Sequence, residues 1–520
     1  MKLRFYVVLA AVLLVGVSAF AQTTGTLTGT ATLGGNPLPG VTVTVSSPSL
    51  IGTRTTVTDS NGNFTIGAIP PGEYTIKFEM ESMQTVTRTT RVGLATTARV
   101  DAELKLTAVA EAITVTASAP AVLETTEVQT NITSQLVSNL PMNRDLRGTV
   151  GLAPGVTSTG PGNAQVISGA PSFDNLYMID GAVVNENLRG QPHDLFIEDA
   201  IQETTVLTGG ISAEFGRFTG GVVTAVSKTG GNEFSGSFRD SFQSPKWTAL
   251  SPNSTARRTK NINQTYEATL GGRIIRDRLW FFTAGRYFQT NSASPLFGAG
   301  APTVPTSREQ QRIEVKLTGQ VTPKHSLTVS SLDIKDDQVN NFFPSAARTW
   351  EVRSVDPGRS LPNSFLTAHY NGVITNSFLI EGLYAKKKFA FEQSGGDSRD
   401  LVLGTNANDI SGNFFGAPTF CGVCTPESRD NKNWQAKGTY YLSTKGTGTH
   451  NLVAGYDDWV SMRKSDNHQS GSDFTIGMYS SPTATCPLCG IQRQGDGSIR
   501  ITTRPGFDTI IIWWPILEAS

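Results

Sequence analysis

Four cysteines are the residues whose spacing most directly suggests chemistry. They form two Cys-x-x-Cys pairs, Cys421 with Cys424 and Cys486 with Cys489. Two such pairs have the ligand spacing of a tetrahedral zinc site. The same thiols can instead form disulfides in an oxidising compartment. The choice between metal and disulfide therefore depends on where this part of the chain is located.

The sequence gives little support for other metal-binding or catalytic motifs. Asp59, Asn61 and Asn63 alternate as in a calcium-binding loop, but the sixth position is Phe64 instead of Gly and the twelfth is Pro70 instead of Glu. The sequence contains no nucleophile–base motif and no phosphate-binding loop. We therefore expect no enzyme, no catalytic residue, no resident metal and no cofactor. The histidines are widely spaced: His193, His325, His369, His450 and His468.

The N-terminus has the pattern of a secretory signal. Lys2 and Arg4 precede an apolar run at 5–17, and Ala-Phe-Ala at 19–21 is a small-x-small cleavage site. The apolar run is shorter than the ~20 residues that a membrane-spanning helix needs, although an uncleaved anchor is the alternative. We predict a signal peptide at 1–21. Since no other apolar stretch is long enough for a helix, any membrane crossing must use a β-barrel.

Charge and composition narrow the class of protein further. The 43 basic residues balance the 43 acidic residues, so no excess of basic charge points to a nucleic-acid partner. The 52 glycines are typical of a turn-rich chain built mainly of strands. We expect a mainly β protein of several domains.

The first mature segment, 22–108, has the alternation of a small β-sandwich. Val41, Val43 and Val45 alternate with threonines, which places the three valines on one face of a strand. Asn61-Gly62 lies between two further alternating runs and predicts a tight hairpin. A compact sandwich with a valine-rich core is therefore expected here.

The sequence of this segment resembles the carboxypeptidase regulatory-like domain, a transthyretin-like sandwich grouped with carbohydrate-binding folds. The resemblance rests on the motifs at 37–41, 58–64 and 69–74. Catalysis is not implied, because a zinc peptidase needs a His/Glu ligand set and all five histidines lie outside the segment. Carbohydrate binding and a periplasmic spacer or docking role are the two functions that it leaves open.

The segment 173–232 contains the most specific sequence motifs in the chain. The motifs at 173–181, 211–223 and 227–232 resemble, in this order, the end of the plug domain of TonB-dependent outer-membrane receptors. The phrase at 187–192 is similar to the Oar-like branch of that family. The resemblance implies an α/β plug domain at 121–231 with short helices near 134–140 and after Asn143. Its charged residues are expected to form ion pairs within the plug and with a barrel: Arg144, Asp145, Arg147, Asp180, Glu214 and Arg217.

A short β-favouring run lies in the linker 109–120, between the predicted sandwich and the plug. Ile113, Thr114, Val115 and Thr116 are flanked by small residues. Such a segment can add itself as a strand to the sheet edge of another protein. In position and wording it resembles a TonB box, which implies an inner-membrane TonB-type energy transducer as partner. The alternative is that it forms the last strand of the sandwich.

The segment 232–520 alternates with period two over stretches of about ten residues, as strands of a membrane barrel do. In one stretch Ile313, Val315 and Leu317 alternate with Glu314 and Lys316. Short turns at 275–278, 322–326, 374–376 and 444–450 alternate with long connections at 291–310, 337–362, 392–432 and 463–497. This asymmetry is typical of outer-membrane barrels, whose turns are short on the periplasmic side and long outside. We therefore predict an antiparallel transmembrane β-barrel in contact with outer-membrane lipid.

Only nine or ten such strands can be counted, whereas receptors of the family resemble 22-stranded plugged barrels. The barrel is therefore expected to be incomplete and the chain to be the N-terminal portion of a longer protein or a truncated product. Both cysteine pairs fall in long connections on the extracellular side. This location favours disulfides over zinc at Cys421, Cys424, Cys486 and Cys489 and leaves their pairing open.

Together these features predict a TonB-dependent receptor in the cell outer membrane. Its partner would be the transducer, and its cargo an unidentified extracellular solute, for which a carbohydrate or a peptide is considered. The alternative is a structural or adhesive outer-membrane protein that keeps this architecture without transport.

Overall fold

The protein is described here by a computed structural model, which covers, with gaps, residues 24–106 and 128–515. Strands make up 65% of it. Among the described residues, no helix is long and apolar enough to cross a membrane. The gaps of four or more residues are 141–144, 191–194, 250–259, 297–301, 343–348, 410–413, 419–426, 465–469, 481–490, 494–498 and 503–508.

Residues 24–106 form a two-sheet sandwich, in agreement with the predicted fold class. Its core contains the three alternating valines together with Ile76 and Phe78, all fully buried. The first sheet consists of β1 (Gly25–Leu33), β2 (Asn36–Pro37), β5 (Asn63–Ile69), β8 (Thr97–Arg99) and β9 (Ala102–Leu104). The second has the order β4-β3-β6-β7, with β3 (Thr42–Ser46), β4 (Thr53–Val57), β6 (Gly72–Glu79) and β7 (Val86–Val92).

The predicted Asn61-Gly62 hairpin is wrong. β4 pairs with β3, whereas β5 pairs with β1 in the opposite sheet, so the turn connects the two sheets instead of two neighbouring strands. The Asp59 carboxylate accepts hydrogen bonds from the amides of Asn61 and Asn63 at 2.8 and 2.9 Å. This side chain thus stabilises the turn that crosses from one sheet to the other.

The next domain, which we call the plug, contains a five-stranded sheet in the order β10-β15-β16-β13-β14. Its first strand, β10 (Val128–Thr133), lies at the edge and pairs only with β15 (Ile201–Gly209) in the described structure. The two helices are short, α1 (Ser134–Asn139) and α2 (Leu146–Val150), and the Asp145 side chain caps α2 by accepting the Gly148 amide at 2.6 Å. The other strands are β11 (Val156–Gly160), β12 (Ala164–Ile167), β13 (Leu176–Ile179), β14 (Ala182–Val183) and β16 (Val222–Ser227).

The long strands after the plug form one continuous antiparallel sheet, which we call the wall. Its order is β17-β18-β19-β20-β21-β23-β24-β27-β28, with β22 paired beside β21. The bounds are β17 (Ser235–Gln243), β18 (Asn263–Ile275), β19 (Leu279–Pro295), β20 (Thr303–Thr322), β21 (His325–Asn341), β22 (Asp356–Ser360), β23 (Asn363–Thr375), β24 (Phe378–Phe391), β27 (Glu427–Thr444) and β28 (Gly448–Lys464).

The predicted short turns match the tight hairpins of the wall, but the predicted connection 291–310 is wrong. β19 continues to Pro295 and β20 begins at Thr303, and the two strands are paired throughout. Their polar residues complete a hairpin that extends beyond the apolar part of the wall. The predicted connection 337–362 is likewise shortened by β21 and β22. A separate small sheet contains β25 (Asn406–Asp409), β26 (Phe414–Gly416), β29 (Phe474–Ser480), β30 (Ile491–Arg493), β31 (Ile499–Thr502) and β32 (Thr509–Pro515).

The two faces of β20 differ in the way predicted for a membrane strand. Ile313, Val315 and Leu317 are 43–59% exposed on the outer face, whereas Glu314 and Lys316 between them are at most 5% exposed. A soluble sandwich would show the reverse, with apolar residues buried and charges in water. The outer face of the wall is therefore suited to hydrocarbon.

The inner face of the wall is less polar than predicted. Phe282, Leu332, Ile334, Phe365 and Leu383 are buried there and pack in one cluster with the core of the plug. Apolar contacts hold the centre of the plug, and charged pairs surround them. The wall is thus the surface on which the plug is mounted.

Candidate functional site: the interface between plug and wall

A hairpin of the plug contacts the wall through a buried ion pair. The strands β13 and β14 are joined by Asp180 and Gly181, whose φ angles of 47° and 82° are those of the tight turn that Asp-Gly favours. Lys316 of β20 lies 2.9 Å from the Asp180 carboxylate. Ser227 donates to the same carboxylate from its amide at 2.9 Å and from its hydroxyl at 2.7 Å. The carboxylate is therefore satisfied on both oxygens.

A second contact centres on the 3-10 helix Glu198–Ala200 of the plug. Glu198 lies 3.1 Å from Arg286 and 3.6 Å from Arg312, two arginines on neighbouring wall strands. Asp199 pairs with Arg239 of β17 at 2.7 Å. Removal of one partner from such a buried network leaves an uncompensated charge, which is strongly destabilising. The network therefore fixes the position of the plug along the wall strands.

A third contact lies near the other end of the wall strands. Glu186 of the plug pairs with Arg429 of β27 at 2.6 Å, and Arg429 also contacts Glu427 at 2.6 Å. Lys387 donates to the backbone carbonyls of Val184 and Asn185 at 3.3 and 3.4 Å. These contacts tie the segment after β14 to the wall at a distance from the Asp180 pair.

A cavity of about 320 Å³ lies between the plug and the start of the wall. Its lining combines four charged residues with serine, threonine and glutamine side chains and with five apolar ones. The charged residues are Glu198, Asp199, Lys228 and Arg239, and the apolar ones are Ile132, Val137, Leu146, Phe196 and Ile201. Burial lowers the pKa of Lys228, and the Asp199 carboxylate opposes this effect. A lining of mixed apolar and charged side chains suits a ligand with both polar and apolar parts.

The sandwich also contacts this assembly. Arg91 lies 2.7 Å from Glu203 of β15, and the Leu94 amide donates to the same carboxylate at 3.0 Å. Gly67 of the sandwich leaves no room for a side chain, because a Cβ there would meet Tyr441 and Leu379 beside the short turns of the wall. The sandwich therefore lies at the short-turn end of the wall, on the side opposite the long connections.

Only some of the charged plug residues that the sequence predicts to form ion pairs do so in the structure. Asp180 and Arg217 form ion pairs with the wall, Arg217 with Asp457 of β28. Asp145 instead caps a helix, and Arg144 lies outside the described residues. The TonB-box-like segment at 113–116 lies outside them as well. The same holds for Cys421, Cys424, Cys486 and Cys489.

The sequence interpretation missed the partners of these groups. Glu203, Lys316 and Arg429 are charged residues at buried positions of strands, with 2–8% exposure. A charge inside an otherwise apolar or alternating run was the available signal. The partner of each charge could not be predicted from the sequence, because 112 residues separate Arg91 from Glu203 and 243 separate Glu186 from Arg429.

The comparisons with known proteins agree with this architecture. Residues 22–105 match the carboxypeptidase regulatory-like domain family. The outer membrane transporter YddB from Escherichia coli superposes with a TM-score of 0.50 over 68% of this chain and 50% of that chain, at 14% sequence identity. The chain therefore shares the fold of about half of that outer-membrane protein.

Within this class the chain is similar to one particular branch. It is 33% identical over 320 residues to the TonB-dependent transporter Oar from Myxococcus xanthus, a match that covers 56% of this chain. The chain spans 29% of the length of that transporter. The chain is therefore similar in sequence to part of a TonB-dependent transporter, and it shares its fold with a solved outer-membrane transporter.

Proposed function

We propose that the protein is a TonB-dependent receptor that binds an extracellular solute and admits it when an inner-membrane transducer pulls on the plug. It would carry out no chemistry of its own, in line with the role of its relative as a transporter. The proposal divides the chain into a signal peptide at 1–21, the sandwich at 22–108, a linker at 109–120, the plug at 121–231 and the barrel segment from 232.

The position of β10 carries this proposal. β10 begins at Val128, eight positions after the end of the linker at 120, and lies at the edge of the plug sheet, with β15 as its partner. Traction on Ile113–Thr116 would therefore reach a strand that is held by one ladder only. Release of an edge strand leaves the remaining ladders of the plug sheet intact, so the plug can open without complete unfolding.

The contacts between plug and wall support the same reading. The pairs Asp180–Lys316 and Glu186–Arg429 are polar and can be exchanged for water when the plug moves. The cavity beside α1 and β17 lies at the same interface. A polar solute would meet charged and hydroxyl groups there at the moment when the plug shifts.

Capture of the transducer tests the proposal. The change Val115→Pro removes a backbone donor and fixes φ in the middle of the segment, so the full chain should no longer retain the periplasmic domain of a TonB-type transducer in a pull-down. Val109→Pro in the same linker is the matched control and should leave retention unchanged. Equal retention by the Val115→Pro variant and the parent would contradict the proposal and favour the adhesive alternative.

A further inference from the structure

Two adjacent residues of β15 anchor the second sheet of the sandwich to the plug. Glu203 pairs with Arg91 near the end of β7. Gln202 donates from its side-chain amide to the carbonyl of Pro71, directly before β6, at 2.8 Å. Since β6 and β7 are neighbours in the sheet, both contacts hold the same end of it on the plug.

The first sheet of the sandwich contacts the wall. Thr26 of β1 faces away from the core of the sandwich, because the adjacent Leu27 is part of that core. Thr26 is nevertheless only 7% exposed, and its side chain hydrogen-bonds with the Tyr441 hydroxyl of β27. Gly67 of β5 lies against the same tyrosine and against Leu379 of β24. The wall therefore covers this part of the outer face of the first sheet.

The sandwich consequently bridges the plug and the wall. The plug cannot move away from β24 and β27 unless one of these two sets of contacts breaks. Gly93 of the sandwich also lies against Asn131 of β10, whose side chain accepts a hydrogen bond from Thr205 at 2.9 Å. The docked sandwich thus covers the edge strand that the proposed mechanism must release.

The segment 113–116 is joined to the sandwich and to the plug by two arms of unequal length. Six residues, 107–112, connect it to the sandwich, and eleven residues, 117–127, connect it to β10. At about 3.5 Å per extended residue, the first arm spans roughly 20 Å and the second roughly 40 Å. Because the sandwich lies directly against β10, traction on the segment tightens the arm of the sandwich first.

We propose that the sandwich is a latch on the plug. Traction on 113–116 first pulls the sandwich off β15 and the wall, and only then removes β10. The inference rests on the proposed function, since it requires a transducer that pulls on the linker. It adds an order of events, and it assigns to the pair Arg91–Glu203 the role of holding the latch closed.

A longer first arm tests this order in the full chain. Ten Gly-Ser residues inserted between Ala110 and Glu111 make this arm longer than the arm to β10, whose length does not change. Traction should then reach β10 while the sandwich stays docked. Capture of the periplasmic domain of the transducer in a pull-down should be unchanged, because the segment 113–116 is intact.

Two cysteine variants report the two steps in energised cells that contain the transducer. Thr26→Cys reacts with a thiol reagent when the sandwich undocks, and Thr205→Cys reacts when β10 leaves. Both should react with the original linker. The insertion should lower both reactions by about tenfold, the factor expected when a charge-assisted contact stays closed.

Opening the latch by mutation should restore the release of β10. Arg91→Gln removes the cation that Glu203 binds, so Thr205→Cys should react again in the chain with the insertion. Arg99→Gln is the matched control, because it breaks an exposed pair with Asp101 within the sandwich. It should give no recovery.

Three results would overturn the latch. The first is undiminished reaction of Thr205→Cys in the chain with the insertion, because β10 would then leave past a docked sandwich. The second is equal recovery, or none, with Arg91→Gln and Arg99→Gln. The third is no reaction of Thr26→Cys and Thr205→Cys with the original linker, which would contradict the proposed function itself and the latch with it.

Discussion

The Arg91 guanidinium of the sandwich lies 2.7 Å from the Glu203 carboxylate of the plug, and Glu203 is only 2% exposed. This pair joins the sandwich to β15, the strand that holds β10 in place. Asn131 of β10 also approaches Gly93, where a Cβ would meet the Asn131 side chain. The sandwich is therefore packed against the two plug strands that traction on the linker would reach first.

Glu203→Gln should loosen this contact. The Leu94 amide donates to the Glu203 carboxylate at 3.0 Å, and hydrogen bonds to a charged acceptor are worth about 1.5–3 kcal/mol. Hydrogen exchange at Leu94 should therefore accelerate at least about tenfold. Glu73→Gln is the control, since Glu73 lies 3.8 Å from the same Arg91 but is largely exposed. Equal protection of Leu94 in the parent and the Glu203→Gln variant would contradict this role.

Lys316→Met should weaken the hold of the wall on the plug. The change leaves the Asp180 carboxylate without its cation in a buried site, at a cost of roughly 3 kcal/mol. The plug should become accessible to protease at a lower guanidinium concentration. Asp180→Asn added to Lys316→Met should recover part of the loss, because no unpaired charge remains. Lys335→Met, which breaks an exposed pair with Asp337, should have no effect, and an equal effect there would argue against a specific role for Lys316.

The sandwich should fold on its own. Its buried cluster is drawn from positions 27–104 alone among the described residues, so a fragment 22–108 should be soluble and unfold cooperatively. Phe78→Ala should lower its free energy of unfolding by about 3–5 kcal/mol. Val57→Ala, at a position that is half exposed, should change it by less than about 0.5 kcal/mol. An unfolded fragment in circular dichroism would show that the sandwich depends on the plug.

The cysteine prediction remains open and can be measured directly. Mass spectrometry of the exported, non-reduced chain should find no free thiol at Cys421, Cys424, Cys486 or Cys489, because export exposes them to an oxidising compartment. Stoichiometric zinc with four thiolates would instead show that these pairs form a metal site.

The sequence was informative wherever a pattern was local. The alternation around Val315 and the short turns of the wall predicted the antiparallel sheet and its lipid-facing side. The hairpin predicted at Asn61-Gly62 is wrong, because β5 pairs with β1, more than thirty residues away, and local turn chemistry carries no information about that partner. The apolar residues on the inner face, such as Phe282 and Leu332, could not be distinguished from lipid-facing ones without the plug that covers them.

The most direct test of the central claim is the accessibility of Thr205, which is 1% exposed and covered by β10 through its partner Asn131. In energised cells that contain the transducer, Thr205→Cys should react with a thiol reagent above the level of the parent chain. The reaction should disappear when Val115→Pro is added. Thr224→Cys, on the next strand of the same sheet and equally buried, should stay unreactive. Labelling of Thr205→Cys that is absent, or that persists with Val115→Pro, would contradict a plug opened by traction on the linker.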